Sequence, residues 1–380
     1  MLQAIKLLPK AGLIAVFVLS ITACSEKEQV ETKSESQQVE AKSQTEAKSS
    51  GYTAPRNSLG QPDLQGVWDF RTLTPLERPK ELGNKATFTE EEQAAFKSKA
   101  IDVLDVDKAR DENTVTDANT DIEGAYNNFW FDYGTSMNED RRTSLITDPP
   151  NGRLPALTEE AVTRMKQNHL RTFPVRDILS IGLVDFRPTG PETLGLSERC
   201  LLSFNAGPPL TPSAYNNNLR IIQSPRHVVI FTEMIHDARV IPIDGSTHLP
   251  AEMTKWTGDS RGHWEGDTLV VETTNFTGKT PTFQMPINLA DPSMNGVVGT
   301  GENFTLIERF TRTSDSVIVY EYTVTDPSTF TTPFTVAIPL KASDSQLFEY
   351  ACHEGNHGAA GMLSGARHVE KEEAKKATSH

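Results

Sequence analysis

Residues 303–340, NFTLIERFTRTSDSVIVYEYTVTDPSTFTTPFTVAIPL, decide the fold. Three runs rich in β-branched and aromatic side chains (303–312, 316–324 and 334–340) are joined by short connectors that carry Ser-Asp-Ser and Asp-Pro-Ser, which is turn chemistry. Strands joined this tightly pair antiparallel, because a parallel crossover needs a dozen residues or more. The same rhythm extends in both directions, through 219–223, 227–234, 238–243, 267–273 and 346–352. The fold class expected is therefore mainly β: a large antiparallel sheet, closed as a barrel or stacked as a sandwich.

Upstream the texture changes. Residues 63–70 (DLQGVWDF) suggest a first strand. Thr89 to Glu92 has capping-box spacing and opens a helix expected to run to about Arg110. Residues 111–140 carry no period and read as a long irregular loop. After the Pro149-Pro150-Asn151-Gly152 turn, a second helix is expected over about 158–170, with Val162, Met165 and His169 on one side. The β-sheet thus carries a helical N-terminal elaboration.

The first 24 residues read as an address. Lys6 and Lys10 precede the apolar run AGLIAVFVL (11–19), which is too short to span a bilayer, and Ser20-Ile21-Thr22-Ala23-Cys24 closes it with small residues. Residues 1–23 then form a signal peptide, and Cys24 after Ile-Thr-Ala resembles the lipobox of bacterial lipoproteins. Lipidated Cys24 would anchor the chain to an extracytoplasmic membrane face; Ser25 instead of Asp favours the outer membrane. Residues 24–55, rich in Glu, Lys, Ser and Gln, form a disordered tether, and about 31 such residues span on the order of 30 Å. One globular domain is expected over 56–368, followed by a charged tail, 369–380.

Removing residues 1–23 takes the formal net charge from −14 to −16. With no long Lys/Arg run, this acidity excludes nucleic acid as a partner. Of three cysteines, Cys24 is spent on the lipid, so Cys200 and Cys352 are left as a candidate disulfide in an oxidising compartment. That bridge would close a loop of about 150 residues, worth roughly 4–5 kcal/mol in the chain-entropy view. Two free thiols are the alternative.

Several phrases resemble an uncharacterised family of secreted bacterial β-rich proteins: TPLERP (74–79), RRTSLITDPPNGRLP (141–155), EMIHDAR (233–239), GDSRGHWEGDTLVVETTNF (258–276) and YACHEGNHG (350–358). The resemblance implies a compartment, not a reaction. Gly66-Val67-Trp68 is in addition similar to the Gly-X-Trp of lipocalins, which places a barrel above a sandwich.

Glu233-Met234-Ile235-His236-Asp237-Ala238-Arg239 sets four ionisable groups between two strongly apolar runs. Buried charges need partners. In extended geometry Glu233, Asp237 and Arg239 share a face opposite His236, and a bulge at His236 would unite them. The functional reading takes Glu233, His236 and Asp237 as acid–base groups in a barrel mouth, with Arg239 binding substrate; the alternative is a structural ion-pair network. Arg261, placed in a turn between Trp256 and Trp264, suggests an anion- or sugar-binding wall, against a hairpin whose tryptophans fill the core. Tyr215, in the Pro- and Asn-rich loop 207–218, is a further binding candidate.

His353-Glu354-Gly355-Asn356-His357 formally matches H-E-x-x-H, which on a helix binds zinc, and His368 is the nearest third ligand. Yet the motif follows an expected strand and contains glycine, so a disulfide-pinned turn competes with it. No hydrolase elbow, phosphate loop, dinucleotide fingerprint or haem motif occurs. The expected function is a lipid-anchored envelope protein that binds or transforms a small molecule in the barrel or sandwich mouth, without a cofactor. A zinc metallohydrolase and a non-catalytic scaffold are the alternatives.

Overall fold

A computed structural model describes residues 52–105, 107, 129, 131–167, 188–194, 196–203, 205–279, 283–284, 297–298 and 302–378. Residues 1–51, where the signal peptide, the lipidated Cys24 and most of the tether are expected, lie outside the described residues, as does His169.

The protein is mainly β, with its sheet nearly closed as a barrel. The strands are β1 (Gly66–Asp69), β2 (Ile146–Asp148), β3 (Asn218–Gln223), β4 (His227–Thr232), β5 (Ala238–Pro242), β6 (Asp259–Glu265), β7 (Thr268–Thr274), β8 (Phe283–Gln284), β9 (Val297–Val298), β10 (Thr305–Ser314), β11 (Val317–Thr325) and β12 (Phe334–Ala342). Nine of them follow one antiparallel path, β5-β4-β3-β1-β12-β11-β10-β7-β6. Strand β2 adds to β12 beside Thr335 and Val336, and the pair β8–β9 stands apart. The path's end strands nearly meet: a Cβ on Gly262 of β6 would lie 3.0 Å from the Cγ2 atoms of Ile241 and Ile243, so only glycine admits so close an approach.

Alternation explains the closure. Every second residue of β4 and β11 is buried, and the inward set of the barrel fills its interior with Trp68, Leu219, Phe310, Tyr320, Tyr322 and their neighbours. Phe310–Tyr320 and Tyr320–Tyr322 ring centroids are 4.7 and 5.4 Å apart. The Gly-X-Trp segment is β1 itself. Trp68 Nε1 donates to Leu64 O (2.9 Å), and the Arg312 guanidinium sits 5.7 Å over its ring.

The register also positions the elaboration. Strand β1 ends at Asp69 and β3 begins at Asn218, and these two residues are cross-strand partners. Residues 70–217 therefore leave and re-enter the sheet at the same rim. Helix α1 (Glu90–Leu104) starts at the expected Thr89 with both halves of the capping box, and it stops at Asp105, short of the expected Arg110. Helix α2 (Glu159–Gln167) buries Ala161 instead of Val162, which is exposed. A second apolar cluster, Leu73, Phe88, Leu104 and Met137, fixes this insertion.

Three further expectations are corrected. Residues 346–352 join no ladder; Phe348 N instead donates to the Glu233 side chain (2.9 Å). Residues 259–265 are strand β6, so Arg261 lies within a strand, and the turn is Gly266-Asp267, with Gly266 at φ 60°. The expected tail continues helix α3 (His357–Thr378), because Glu, Lys and Ala are strong helix formers.

Candidate functional site

Each element of the expected acid–base cluster has a position, and most of its polar groups are engaged in structure. Strand β4 ends in a 3-10 turn, Met234–His236, closed by Thr232 N donating to Asp237 O (2.9 Å). The turn puts Ile235 at φ 59°, a left-handed conformation that β-branched residues rarely adopt. Glu233, 3% exposed, accepts from Asn218 Nδ2 (2.9 Å) as well as from Phe348 N. Asp237 Oδ1 accepts from Ala238 N (2.9 Å). His236 forms part of the turn, but its side chain lies outside the described residues. The turn thus replaces the simple bulge that would have gathered all four groups.

Arg239 points elsewhere, into the barrel. It clamps Glu308 of β10 through both Nη atoms, at 2.5 and 2.9 Å, and the Glu308 side chain is fully buried. Tyr320 Oη donates to Glu308 Oε1 (2.8 Å) and accepts from Leu210 N (3.1 Å). Burial opposes the Arg239 charge, and Glu308 more than offsets it, so the guanidinium holds its proton more tightly than usual. Burial, followed by the Glu308 charge, pushes the Tyr320 and Tyr322 hydroxyls well above the ordinary tyrosine range. Both stay protonated. The cluster is a closed charge pair that also pins loop residue Leu210 to the barrel.

Arg261 and Trp264 share β6 but not a ligand wall. Arg261 Nη1 lies 3.0 Å from Asp259, and its Nε donates to Thr247 O (2.9 Å). Asp259 is also held by Lys255 Nζ (2.9 Å), Leu249 N (3.0 Å) and His248 Nδ1 (3.2 Å). Burial raises its pKa, and these donors override that effect and bring it down to about 2. The network ties the connection 243–258 to the barrel. Trp264 packs part-buried against the barrel core, as in the core-filling alternative.

Tyr215 stacks on Tyr350 at 6.5 Å, beside Met234, Ile235 and Cys352. The loop carrying Tyr215, the 3-10 turn and the C-terminal segment therefore converge at one place on the rim. The Cys200–Cys352 disulfide is present, with Cα atoms 5.8 Å apart. Asn356 Oδ1 accepts from Ala359 N (3.1 Å) and caps α3, which begins only at His357. His353 precedes the helix, so the H-E-x-x-H spacing does not set two imidazoles on one helical face. Among the described residues no group of three His, Cys, Asp or Glu side chains is placed to hold a metal.

The open space lies where no motif pointed. A shallow cleft with a cavity volume of about 30 Å³ runs between residues 72–76, which leave β1, and Pro212–Ser213. Leu73, Leu76, Leu104 and Leu145 give it apolar walls, and Thr72, Thr74, Tyr133 and Ser213 are its hydroxyls. Thr72 Oγ1 donates to Asn138 Oδ1 (3.0 Å), and Thr74 Oγ1 accepts from Asn138 N (2.9 Å), which fixes that wall. Burial pushes the Tyr133 hydroxyl up, so it stays a donor. The cleft is the seam between the insertion's own apolar cluster and the barrel core, which is why no local spacing announces it. The only signal in the sequence was the loop 207–218 and its Pro-rich composition.

Comparison with protein-family models, curated proteins and solved structures finds no match for this chain.

Proposed function

We propose that this chain is a membrane-tethered envelope protein that binds a small, largely apolar molecule in the rim cleft between residues 72–76 and Pro212–Ser213. The observation that carries this reading is the composition of the cleft, apolar walls with a few hydroxyls, so that a ligand would lie mostly in its open mouth. Its lining offers hydrogen-bond donors and no general base, since Tyr133 is held protonated, so binding is favoured over transformation. Among the residues first expected at a site, the acid–base candidate Glu233 is held by Asn218 and Phe348, and the binding candidates Arg239 and Arg261 by Glu308 and Asp259.

The disulfide supports an extracytoplasmic setting. Lipidation of Cys24, anchorage to the outer membrane and membership in the secreted family that the quoted phrases resemble belong to the same proposal. Cys24→Ser should release the chain from the membrane fraction; a variant that stays there equally well contradicts the anchor.

Titration of the full chain with N-phenyl-1-naphthylamine, a neutral apolar fluorophore, tests the cleft. Saturable enhancement is expected, and Ser213→Trp, which fills the part-exposed mouth, should abolish it while leaving the circular dichroism spectrum intact. Unsaturable enhancement, or full binding by a folded Ser213→Trp chain, contradicts the proposal.

A further inference from the structure

Arg78 is 5% exposed and has no carboxylate partner among the described residues. Its Nε donates to Thr143 Oγ1 (2.8 Å) and its Nη2 to Pro150 O (3.2 Å), both neutral acceptors. Arg153 lies against it: Arg153 Nε donates to the Arg78 carbonyl (3.2 Å), and its Nη2 reaches two more carbonyls at 3.4 Å. It too has no carboxylate partner among the described residues. Burial and then the neighbouring Arg153 charge lower the proton affinity of Arg78, and no acidic group counters them. Among the described residues neither guanidinium is paired with a carboxylate, in a chain with 51 acidic and 37 basic residues; the nearby Glu77 carboxylate accepts from Leu154 N (2.8 Å).

The surrounding backbone holds that arrangement. Arg78 N donates to Gly152 O (2.7 Å), which folds the Pro149–Arg153 turn over the guanidinium. Gly152 sits at φ 69°, and a Cβ there would come within 2.4 Å of Ser144 Oγ and 3.0 Å of Arg78 Nη2. Only glycine lets the turn approach so closely. Neither Arg78 Nη1 nor Arg153 Nη1 makes a hydrogen bond among the described residues, so each fork keeps a free donor.

We propose that Arg78 and Arg153 bind a phosphate-type oxyanion, either free or as a lipid headgroup. Two guanidinium forks match the charge and the several acceptor oxygens of a phosphate better than a single carboxylate does. The site stands apart from the cleft reading, because its residues do not line that cleft.

The test is calorimetric titration of inorganic phosphate into the full Cys24→Ala chain at low ionic strength, beside sedimentation with phosphatidylglycerol and phosphatidylcholine vesicles. One-to-one phosphate binding, weakened at least about tenfold by Arg153→Gln and by Arg78→Lys, supports the site. Arg220→Gln, at an exposed arginine of β3, should bind as the parent does. Retention on phosphatidylglycerol alone, lost in Arg153→Gln, supports the site and assigns it to a headgroup. The proposal is overturned by the absence of both kinds of binding, or by equal weakening in Arg220→Gln. If Arg78→Lys fails to fold, the part-exposed Arg153→Gln decides.

Discussion

Arg239 and Arg78 are both withdrawn from solvent, but in different company. Arg239 lies inside the barrel with a carboxylate clamped across its fork and a tyrosine hydroxyl behind the carboxylate. Arg78 lies in the insertion that covers the rim, among hydroxyls and carbonyls, with Arg153 bonded to its backbone carbonyl. The interior is electrostatically complete and filled by aromatic rings, whereas the rim holds unbalanced charge and an open cleft. Under the proposed function the barrel is the support, and the insertion between β1 and β3 carries the capacity to bind.

That contrast makes predictions of graded size. The largest effect belongs to the disulfide, which ties the C-terminal segment to the rim across a sequence separation of 152 residues. Removing it with Cys200→Ser and Cys352→Ser should cost about 4–5 kcal/mol in denaturant unfolding, by loss of loop-closure entropy. Next comes the interior pair. Arg239→Met leaves Glu308 buried and alone, at a cost of about 3–5 kcal/mol. The matching change at the rim, Arg78→Met, should cost no more than about 1 kcal/mol, because it removes a buried charge that has no carboxylate partner among the described residues. Equal costs for the two variants would erase the distinction between the regions.

Acid tests a third region. The carboxyl of Asp259 is held at about 2 in the folded chain, below its ordinary value of 3.8. A depressed carboxylate stabilises the fold above its unfolded pKa, and that stability is lost as pH falls through the folded value. Asp259 should therefore contribute at most about 2 kcal/mol, lost between roughly pH 4 and pH 2. Unfolding of Asp259→Asn against the parent chain across that window should show the gap closing as pH falls. The smallest effect is local: Thr89→Ala removes the α1 cap and should cost about 1 kcal/mol without touching either arginine.

The parts of this architecture written in local chemistry were readable. The tight turns of residues 303–340 foretold the β10–β11–β12 meander, Thr89 and Glu92 foretold the cap of α1, and excluding Cys24 foretold the Cys200–Cys352 pair. What failed to show was set by partners distant in sequence. Strand β6 reads as a turn because Gly262 is there to admit Ile241 of β5 and Ile243 just past its end, not to bend the chain. Arg239 looked like a ligand-binding cation because its partner lies 69 residues away. A clue existed: Glu308 falls between Leu306 and Phe310 on the inward face of β10, where a charge implies a buried counterpart. The cleft and the Arg78–Arg153 pair arise only when residues 72–78 lie beside 143–153, a juxtaposition that no periodicity encodes.

The central claim, that the interior supports while the rim binds, is tested most directly by one paired titration. N-phenyl-1-naphthylamine is added to full chains carrying Tyr320→Phe or Ser213→Trp, with denaturant unfolding of each beside it. The account predicts that Tyr320→Phe, which takes a hydrogen bond from Glu308, loses stability and keeps parental affinity, while Ser213→Trp keeps stability and loses binding. The reverse pattern, with binding lost in a folded Tyr320→Phe chain and retained in Ser213→Trp, would contradict it.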